Sequence, residues 1–371
     1  MTGDGSALGG GVTRTSELLV IDGSHGEGGG QIVRTAVSLA AVTGRRVRID
    51  RIRAARRKPG LRPQHVTAVR AAAATCDAMV DGDEVGSSTL GFSPRRPPRA
   101  GSYEFDVAAA RAGGSAGAAT LVLQTVLLPL AFADGASTVA LRGGTHVPLS
   151  PPADYVRDVW AAALRRLGVL VTVEISRPGW FPAGGGAIRA TVVGTGDEVP
   201  RPLELHEPGP LRRVVGRALA SRLPDHVPRR MAQRATAALR ASGIEGGVDS
   251  ACADAVCPGA GIFLTAEYEK CRAGFGALGA RGRPAEDVAD EAVAALLAHR
   301  ASGAALDGHL GDQILPVLAR ARGRSTFTVE RASRHLLTNA WVVGAFGLAR
   351  IDVRGATQGA ATVDVSPTPS A

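Results

Sequence analysis

Short apolar runs alternate with longer segments of helical spacing along most of this sequence, and this alternation limits the possible folds more than any other feature. Runs typical of strands lie at 17–22, 47–52, 103–108, 137–141, 169–176, 187–193, 261–268 and 326–330. Segments whose apolar residues recur at helical spacing lie at 31–42, 64–75, 116–133, 155–167, 228–241, 286–299 and 336–348. Such alternation predicts an α/β or α+β fold. No repeat is visible at a fixed period.

The segment 116–133 is the one part of the sequence that resembles a membrane span. It has 18 residues and no charge, which is the lower limit for a helix that crosses a bilayer. Gln124 and Pro129 interrupt it, however, and no second run of this kind is present. We therefore predict a buried core helix and no interaction with a membrane.

The cysteine content and the charge narrow the class of protein. Four cysteines in 371 residues, without a paired CxxC spacing, do not form a disulfide scaffold, which favours a reduced, cytoplasmic protein. The formal charge of +9 suits a polyanionic partner such as a nucleic acid or a nucleotide. Only Lys58 and Lys270 are lysines, so an arginine-rich composition explains the charge equally well.

Two changes of composition divide the chain. The sequence becomes polar and rich in proline near residue 195, and a second break lies at 300–307, so the segment 200–300 is a candidate for a separate lobe. Residues 1–15 are rich in Gly, Ser and Thr, and residues 356–371 lack aromatic side chains and end in Ser, Pro and Thr. We expect both ends to be flexible tails.

The sharpest local motif is IDGSHGEGGGQ at 21–31, which passes from a predicted strand into a predicted helix. Its three successive glycines let the backbone approach a ligand, and the start of the helix offers free N–H groups to an anion. Arg34 lies one turn into that helix and suits a phosphate. Glu27 repels a phosphate unless a metal ion lies between them. The motif favours a phosphate and metal site, with a tight turn as the alternative.

Two further groups of polar residues are candidates for nucleotide or RNA contacts. Arg53, Arg56, Arg57 and Lys58 precede Pro-Gly, which is typical of a loop that binds phosphates, although a solvated charge run is the commoner outcome. Gln124 is the polar exception in its apolar helix. A buried amide needs partners, and either a nucleotide or the protein backbone supplies them.

A histidine near the C-terminus is the candidate nucleophile. His335 lies where the strand at 326–330 gives way to the next predicted helix, a place that suits an exposed reactive group. A lone histidine is more often structural. The polar segment 309–313 precedes another apolar stretch.

Together these segments resemble the RNA 3′-terminal phosphate cyclases. The matching stretches occur in the family's order, from about residue 17 to residue 353. They are IDGSHGEGGGQIVRTAVSLA, IRAARRKPGLRPQHVTAV, SAGAATLVLQTVLLPLAFADG, the GGT and PPADY of 143–155, FPAGGG, PGAGIFLTAEYE, LGDQILP and RHLLTN. The glycine-loop stretch and the HLLTN stretch are the most specific.

The resemblance implies both a fold and a reaction. The fold is akin to that of the enolpyruvyl transferases: a core of βαβαββ-type repeats at 16–199 and 301–355, with a smaller α/β domain inserted at 200–300. The reaction converts an RNA 3′-terminal phosphate to a 2′,3′-cyclic phosphate with ATP and Mg²⁺ or Mn²⁺. A histidine attacks the α-phosphorus of ATP, AMP passes to the RNA 3′-phosphate, and the 2′-hydroxyl closes the ring and expels AMP.

The resemblance also implies roles for individual residues. His335 corresponds to the nucleophile, and Glu27 to the glutamate beside the metal and the triphosphate. The positions that hold phosphates of ATP or RNA are Arg34, Arg53, Arg56 and Gln64. The ATP contacts are Gln124, His309, Leu310, Gly311, Asp312 and Gln313. We further expect Asp312 to orient His335 by accepting a hydrogen bond from its other ring nitrogen.

Two positions depart from the family pattern. His309 stands where a tyrosine is common and offers less area for stacking on adenine. His146 stands where Asp or Asn is usual. Neither position takes part in the expected covalent chemistry.

The competing interpretations are four. A non-catalytic RNA-binding relative that serves ribosome assembly would lack the nucleophile histidine, and an enolpyruvyl transferase would have no use for the HLLTN stretch. A plain RNA-binding module accounts for the charge alone. A lysine-based ligase has only Lys58 and Lys270 available, neither in a suitable context. The sequence does not indicate an oligomeric state.

Overall fold

Residues 17–110, 115–196 and 198–368 are described by the computed structural model of the chain, and their strands form four sheets of four strands each. The predicted N-terminal tail at 1–15 and the last three residues of the predicted C-terminal tail lie outside the described residues.

The first sheet and its two helices form one βαβαββ unit. Its elements are β1 (Leu19–Asp22), α1 (Gly30–Thr43), β2 (Val47–Asp50), α2 (Pro63–Cys76), β3 (Met79–Asp81) and β4 (Leu90–Ser93). The strand order is β1-β2-β4-β3. The pair β1 and β2 is parallel, as a helical crossover requires, and the other two pairs are antiparallel.

A second unit repeats this arrangement. Its elements are β5 (Ser102–Asp106), α3 (Ala119–Ala131), β6 (Ala136–Gly143), α4 (Ala153–Tyr155), α5 (Ala161–Arg166), β7 (Leu170–Arg177) and β8 (Gly186–Val193). A π-helical turn at Val156–Trp160 joins α4 to α5, so the two act as one crossover helix. The strand order is β5-β6-β8-β7, again with one parallel pair.

The third unit begins with β9 (Glu204–Leu205) and is interrupted at once by a separate sheet. The interrupting elements are β10 (Leu211–Ser221), α6 (His226–Ala241), β11 (Gly246–Cys252), β12 (Gly259–Tyr268), β13 (Arg272–Leu278) and α7 (Ala285–Ser302). The unit then resumes with α8 (Leu310–Leu318), β14 (Ser325–Val329), α9 (Arg334–Ala345), β15 (Ala349–Gly355) and β16 (Ala361–Pro367). Its strand order, β9-β14-β16-β15, matches the other two units.

The predicted fold class is therefore confirmed: three βαβαββ units carry an inserted α/β unit. The equal strand orders reveal a structural repeat, which has no counterpart as a fixed period in the sequence. The limits 200–300 for the inserted domain stay a prediction. The inserted sheet and its helices, at 211–302, contain a hydrophobic cluster of their own.

The helices of the three units pack against one another, with the sheets outside them. Helix α1 contacts α2, α3 and α9, and α8 contacts α9 and α3. One hydrophobic cluster extends through all three units. The strands alternate buried and exposed residues, as in β8, because one face of each sheet covers the helices.

The apolar segment at 116–133 lies in this core, as predicted. Every residue of α3 except Gln124 is buried. Among the described residues, no helix has both the length and the apolar character that crossing a membrane requires.

The prediction of a flexible tail at 356–371 is wrong for residues 361–367. These residues form β16, which lies between β14 and β15 in the third sheet. Val363 and Val365 are fully buried, and the Asp364 carboxylate accepts hydrogen bonds from Arg324 and Thr326. Alternating β-branched residues suffice for a strand when two neighbours supply its hydrogen bonds, and composition alone does not reveal those neighbours.

Removal of residues 356–371 is expected to unfold the protein or lower its melting temperature sharply. Each buried valine contributes about 1.5–3 kcal/mol, and the third sheet also loses a central strand, against a total stability of about 5–15 kcal/mol. Removal of 369–371 is the matched control and is expected to leave the melting temperature unchanged. Thermal unfolding followed by circular dichroism compares the two, and equal melting temperatures would contradict the placement of β16.

Candidate active site

The glycine-rich loop between β1 and α1 packs tightly on α9. Gly26 has a left-handed φ of 59°, and a Cβ there would lie 2.5 Å from Oγ1 of Thr338. The backbone N–H of Glu27 donates to the same hydroxyl over 3.2 Å. A Cβ on Gly29 would lie 1.9 Å from Oε1 of Glu27. Glycine is therefore favoured at position 26 by its backbone conformation and by the close approach of α9, and a side chain at position 29 would displace the Glu27 carboxylate.

The Glu27 carboxylate is held between a cation and a histidine. Its Oε2 and its backbone carbonyl accept hydrogen bonds from Arg56. Its Oε1 lies 3.6 Å from Nδ1 of His335, and the side chain is only 8% exposed. The loop thus presents a fixed carboxylate to one nitrogen of the His335 ring.

His335 lies in the first turn of α9, which begins with a capping hydrogen bond. The Ser333 hydroxyl accepts from the backbone N–H of Leu336 over 3.1 Å, so the start of the helix is well defined. The His335 side chain is about half exposed. With Nδ1 facing Glu27, the nitrogen left for other partners is Nε2.

The surroundings of His335 favour its neutral form. Burial lowers the pKa of the imidazole below its usual 6.5, the positive charges of Arg34 and Arg56 lower it further, and Glu27 opposes them. His309 also lowers this pKa. At neutral pH the ring is therefore uncharged, which is the nucleophilic state of a histidine.

His335 lies on a cleft of about 1080 Å³ between the three repeated units and the inserted unit. The repeated units contribute Gln31, Arg34, Gln124, His309, Asp312, Gln313 and His335 to its walls. The inserted unit contributes residues of β10, β12 and β13, among them Arg217, Phe263 and Phe275. Gln124 donates to Oε1 of Gln313 over 2.7 Å, which joins α3 to α8 at the cleft.

Two buried charged residues face this cleft. Arg34 is 9% exposed and donates to Oε1 of Gln31 over 2.5 Å. Burial lowers its pKa to about 10, against the pull of Glu27 and Asp312, so it stays charged. Burial raises the pKa of Asp312 to about 8, and Asp307 adds to this effect. Asp312 is thus mostly protonated at neutral pH, which leaves a net positive charge that suits an anion.

Four of the predicted ligands make protein contacts away from the cleft. Nη1 of Arg53 donates to the carbonyls of Lys58 and Gly60, both over 2.8 Å. Oε1 of Gln64 accepts from the backbone N–H of Ala118 at the start of α3. The other two are Leu310, which is 1% exposed, and Gly311, where an added Cβ would lie 2.7 Å from Cγ1 of Val329. The structure brings Glu27, Arg34, Arg56, Gln124, His309, Asp312, Gln313 and His335 together through the cleft and the contact of Glu27 with His335. Arg53 lies near Glu27 and Arg56, whose charges affect its pKa, but its side chain is bonded to backbone carbonyls.

The expected bond between Asp312 and His335 is replaced by a different pairing. Among the described residues, the carboxylate within 4 Å of the His335 ring nitrogens belongs to Glu27. The backbone carbonyl of Asp312 instead accepts from Asn339 Nδ2 over 2.8 Å.

His146, one of the two departures from the family pattern, has a structural role here. It is 1% exposed, with Nδ1 2.8 Å from Oγ1 of Thr145 and Nε2 2.7 Å from Oδ2 of Asp154. Its ring packs against Trp180 and Phe263. His309, the other departure, is exposed at the start of α8 and lines the cleft.

Sequence reasoning missed two residues beside the cleft. The buried Asp307 carboxylate accepts hydrogen bonds from the backbone N–H groups of His309 and Leu310 and from the Tyr155 hydroxyl, so it anchors the start of α8. Arg331 lines the cleft without an ion-pair partner among the described residues. Asp307 and Arg331 do not belong to any sequence motif that would have indicated a functional site.

The donor set around Glu27 suits a cation that arrives with a phosphate. Within the described part of the chain, no group of three or more His, Cys, Asp or Glu side chains is arranged to hold a metal ion. A magnesium ion bound mainly by substrate phosphates needs only one or two protein carboxylates. Glu27 fits that requirement, and a resident metal centre does not fit these residues.

Comparison with known proteins matches nearly the whole chain to one family. The family profile of RNA 3′-terminal phosphate cyclase matches residues 25–353.

A search of solved structures gives a weak match. The enolpyruvyl transferase NikO from Streptomyces tendae matches at a TM-score of 0.29 and 17% identity, over 48% of this chain and 33% of that one. A similarity this low has no bearing on the fold or the activity.

Curated relatives agree with the profile over most of their own length. The RNA 3′-terminal phosphate cyclase of Methylococcus capsulatus is 58% identical over 95% of this chain and 98% of its own. The protein of that name from Gloeothece citriformis is 49% identical over 91% and 95%. That from Methanopyrus kandleri is 44% identical over 94% and 99%. The chain therefore belongs to the RNA 3′-terminal phosphate cyclase family.

Proposed function

We propose that this protein converts an RNA 3′-terminal phosphate to a 2′,3′-cyclic phosphate in an ATP-dependent reaction, through a covalent AMP adduct on His335. Membership of the family supports the overall reaction. The observation that carries the covalent step is the contact between Glu27 and His335, which leaves Nε2 unengaged at the edge of a nucleotide-sized cleft. RNA and ATP are the partners, and we expect the reaction to take place in the cytoplasm.

In the first step, Nε2 of neutral His335 attacks the α-phosphorus of ATP. A nitrogen–phosphorus bond forms, the bond to the bridging oxygen breaks, and pyrophosphate leaves. The Glu27 carboxylate, which lies 3.6 Å from Nδ1, stabilises the positive charge that develops on the ring. Mg²⁺ or Mn²⁺ on the triphosphate, with Glu27 as its protein ligand, would neutralise charge on the leaving group.

In the remaining steps, AMP passes to the RNA and then leaves. An oxygen of the RNA 3′-phosphate attacks the phosphorus of the adduct, which restores His335. The neighbouring 2′-hydroxyl then attacks the 3′-phosphate and forms the new O–P bond, its proton passes to solvent, and the bond to AMP breaks so that AMP leaves. Arg34, which is buried and charged, would bind phosphate in the cleft, and Arg56 would do so beside Glu27.

The ATP base and sugar are assigned to the wall formed by α3 and α8. Gln124, His309, Asp312 and Gln313 offer side chains there. Leu310 and Gly311 contribute only by holding the backbone of α8. Arg53 and Gln64 act on phosphates only if they exchange some of their present contacts, so we expect them chiefly to shape the loop and the start of α3.

His335→Ala is expected to abolish formation of the AMP adduct, because no other group takes the nucleophile's place. His309→Ala is the matched control and is expected to weaken the use of ATP without abolishing the adduct. The protein is incubated with α-labelled ATP and Mg²⁺ or Mn²⁺ and then denatured, and the label that stays on the protein is measured. Label that is lost in acid but stable in base identifies a histidine–AMP adduct. Labelling of His335→Ala would disprove the assignment.

The pH dependence of adduct formation tests the role of Glu27. The reactive ring is neutral, so the rate falls as the pH drops through the His335 pKa, which lies below 6.5. Glu27→Gln removes a charge that raises this pKa, so the acid limb is expected to move to lower pH. Arg56→Gln removes a charge that lowers it, so the limb is expected to move to higher pH.

Single-turnover labelling at a series of pH values measures both shifts. Arg350→Gln, on the exposed side of β15, is the control and is expected to move neither limb. Shifts of Glu27→Gln and Arg56→Gln in the same direction would exclude direct electrostatic control of His335.

Glu27→Ala is expected to raise the concentration of divalent metal needed for adduct formation, because the metal loses its one protein carboxylate. A titration of labelling against Mg²⁺ and against Mn²⁺ measures the change. An unchanged titration would remove Glu27 from the metal site and leave it only as the partner of His335.

A further inference from the structure

An exposed aromatic stack lies beside the proposed catalytic residues. The His25 and Trp341 rings are nearly parallel, with centroids 3.9 Å apart and an interplanar angle of 14°. Trp341 lies on α9 and packs against the core, whereas His25 lies in the glycine-rich loop and is exposed. The covered face of the imidazole therefore rests on Trp341, and its other face is directed to solvent.

The stack continues the line of contacts that α9 makes with the loop. His335 faces Glu27, Thr338 accepts from the Glu27 backbone, and Trp341 stacks on His25. These three α9 residues are spaced three apart and share one side of the helix. Six helical residues rise by about 9 Å, so the stack is offset from His335 along α9 by about that distance.

Two exposed cations lie in a loop that contacts the loop carrying His25. The basic loop at 51–58 contacts the glycine-rich loop on both sides of His25, through Arg51 with Asp22 and through Arg56 with Glu27. Arg57 and Lys58 follow in the same loop and are exposed. In the described part of the chain, neither has an ion-pair partner.

The stack and the two cations do not line the cleft assigned to ATP. Because this surface lies outside that cleft, it suits the second substrate. An aromatic ring with cations beside it is the combination by which proteins bind single-stranded nucleic acid: the ring stacks a base and the cations bind the backbone phosphates.

We propose that the exposed face of His25, supported by Trp341, stacks a base near the 3′ end of the RNA substrate, while Arg57 and Lys58 bind phosphates of the same strand. The proposal rests on the proposed function and identifies where the RNA enters. Every base has a face that stacks, so this contact selects single-stranded ends without a strong preference for sequence.

The test separates the RNA step from the ATP step. His25→Ala is expected to raise the KM for an oligoribonucleotide with a 3′-phosphate about fivefold to tenfold, while AMP labelling without RNA changes less than twofold. His25→Phe retains a stacking ring and is expected to restore the KM. Equal losses in both steps would mean that the stack only positions the loop that carries Glu27. An unchanged KM would mean that no base stacks there.

Direct binding keeps this test independent of catalysis. The affinity for the same oligonucleotide, measured by fluorescence anisotropy, is expected to fall with His25→Ala even if no AMP adduct forms in any variant. If the unaltered protein forms no AMP adduct but still binds RNA in a way that depends on His25, the proposed function is wrong. The proposal that RNA binds at His25 is then still supported.

The cations are tested by the salt dependence of binding. The double variant Arg57→Gln and Lys58→Gln is expected to reduce the slope of log affinity against log salt by about 1.4, since each phosphate contact to a single strand contributes about 0.7. The control is Arg350→Gln, which changes an exposed arginine on β15 of the third unit and is expected to leave the slope unchanged. An unchanged slope in the double variant would exclude these two residues from the RNA path.

Discussion

The contact between the glycine-rich loop and α9 is the constraint on which the site depends. It joins the start of the first repeated unit to the last helix of the third, across 311 residues of sequence, through the bond from Glu27 to Thr338. A second bond, from Thr35 to Asn339 over 2.7 Å, strengthens the same junction. Because the second bond is buried and the first is partly buried, the loop has little freedom, and Glu27 stays beside His335.

Burial also determines the charge of the site. Arg34 and Asp312 are buried residues that line the cleft, where low polarity penalises both charges, but the two respond differently. The arginine remains charged even with a lowered pKa of about 10, whereas the carboxyl takes up a proton near neutral pH. The result is a cationic cavity beside a neutral histidine, which is the electrostatic condition for binding a polyphosphate and attacking it.

The sequence singled out residues that the structure brings together, but not the contacts that they make. Glu27, Arg34 and His335 stand in segments with distinctive local chemistry, and their roles stay predictions. Gln64 stands in an equally suggestive place, yet its amide oxygen caps the start of α3. Asp312 was expected to hold His335, and Glu27 lies there instead. A side chain's partner depends on distances between segments far apart in the chain, which no local pattern records.

The sequence by itself determined the alternation of strands and helices and the burial of α3, because these depend on periodicity and on residue type. The role of His335 as nucleophile stays a prediction that rests on the resemblance to the family. Only the tertiary structure decided the repeated strand order, the place of β16 inside a sheet and the stacking of His25 on Trp341. The segment at 361–367 is only weakly apolar, and it becomes a central strand because two neighbouring strands supply its hydrogen bonds. The rings of His25 and Trp341 meet because the glycine-rich loop packs on α9. Such pairings arise from the free energy of the whole chain.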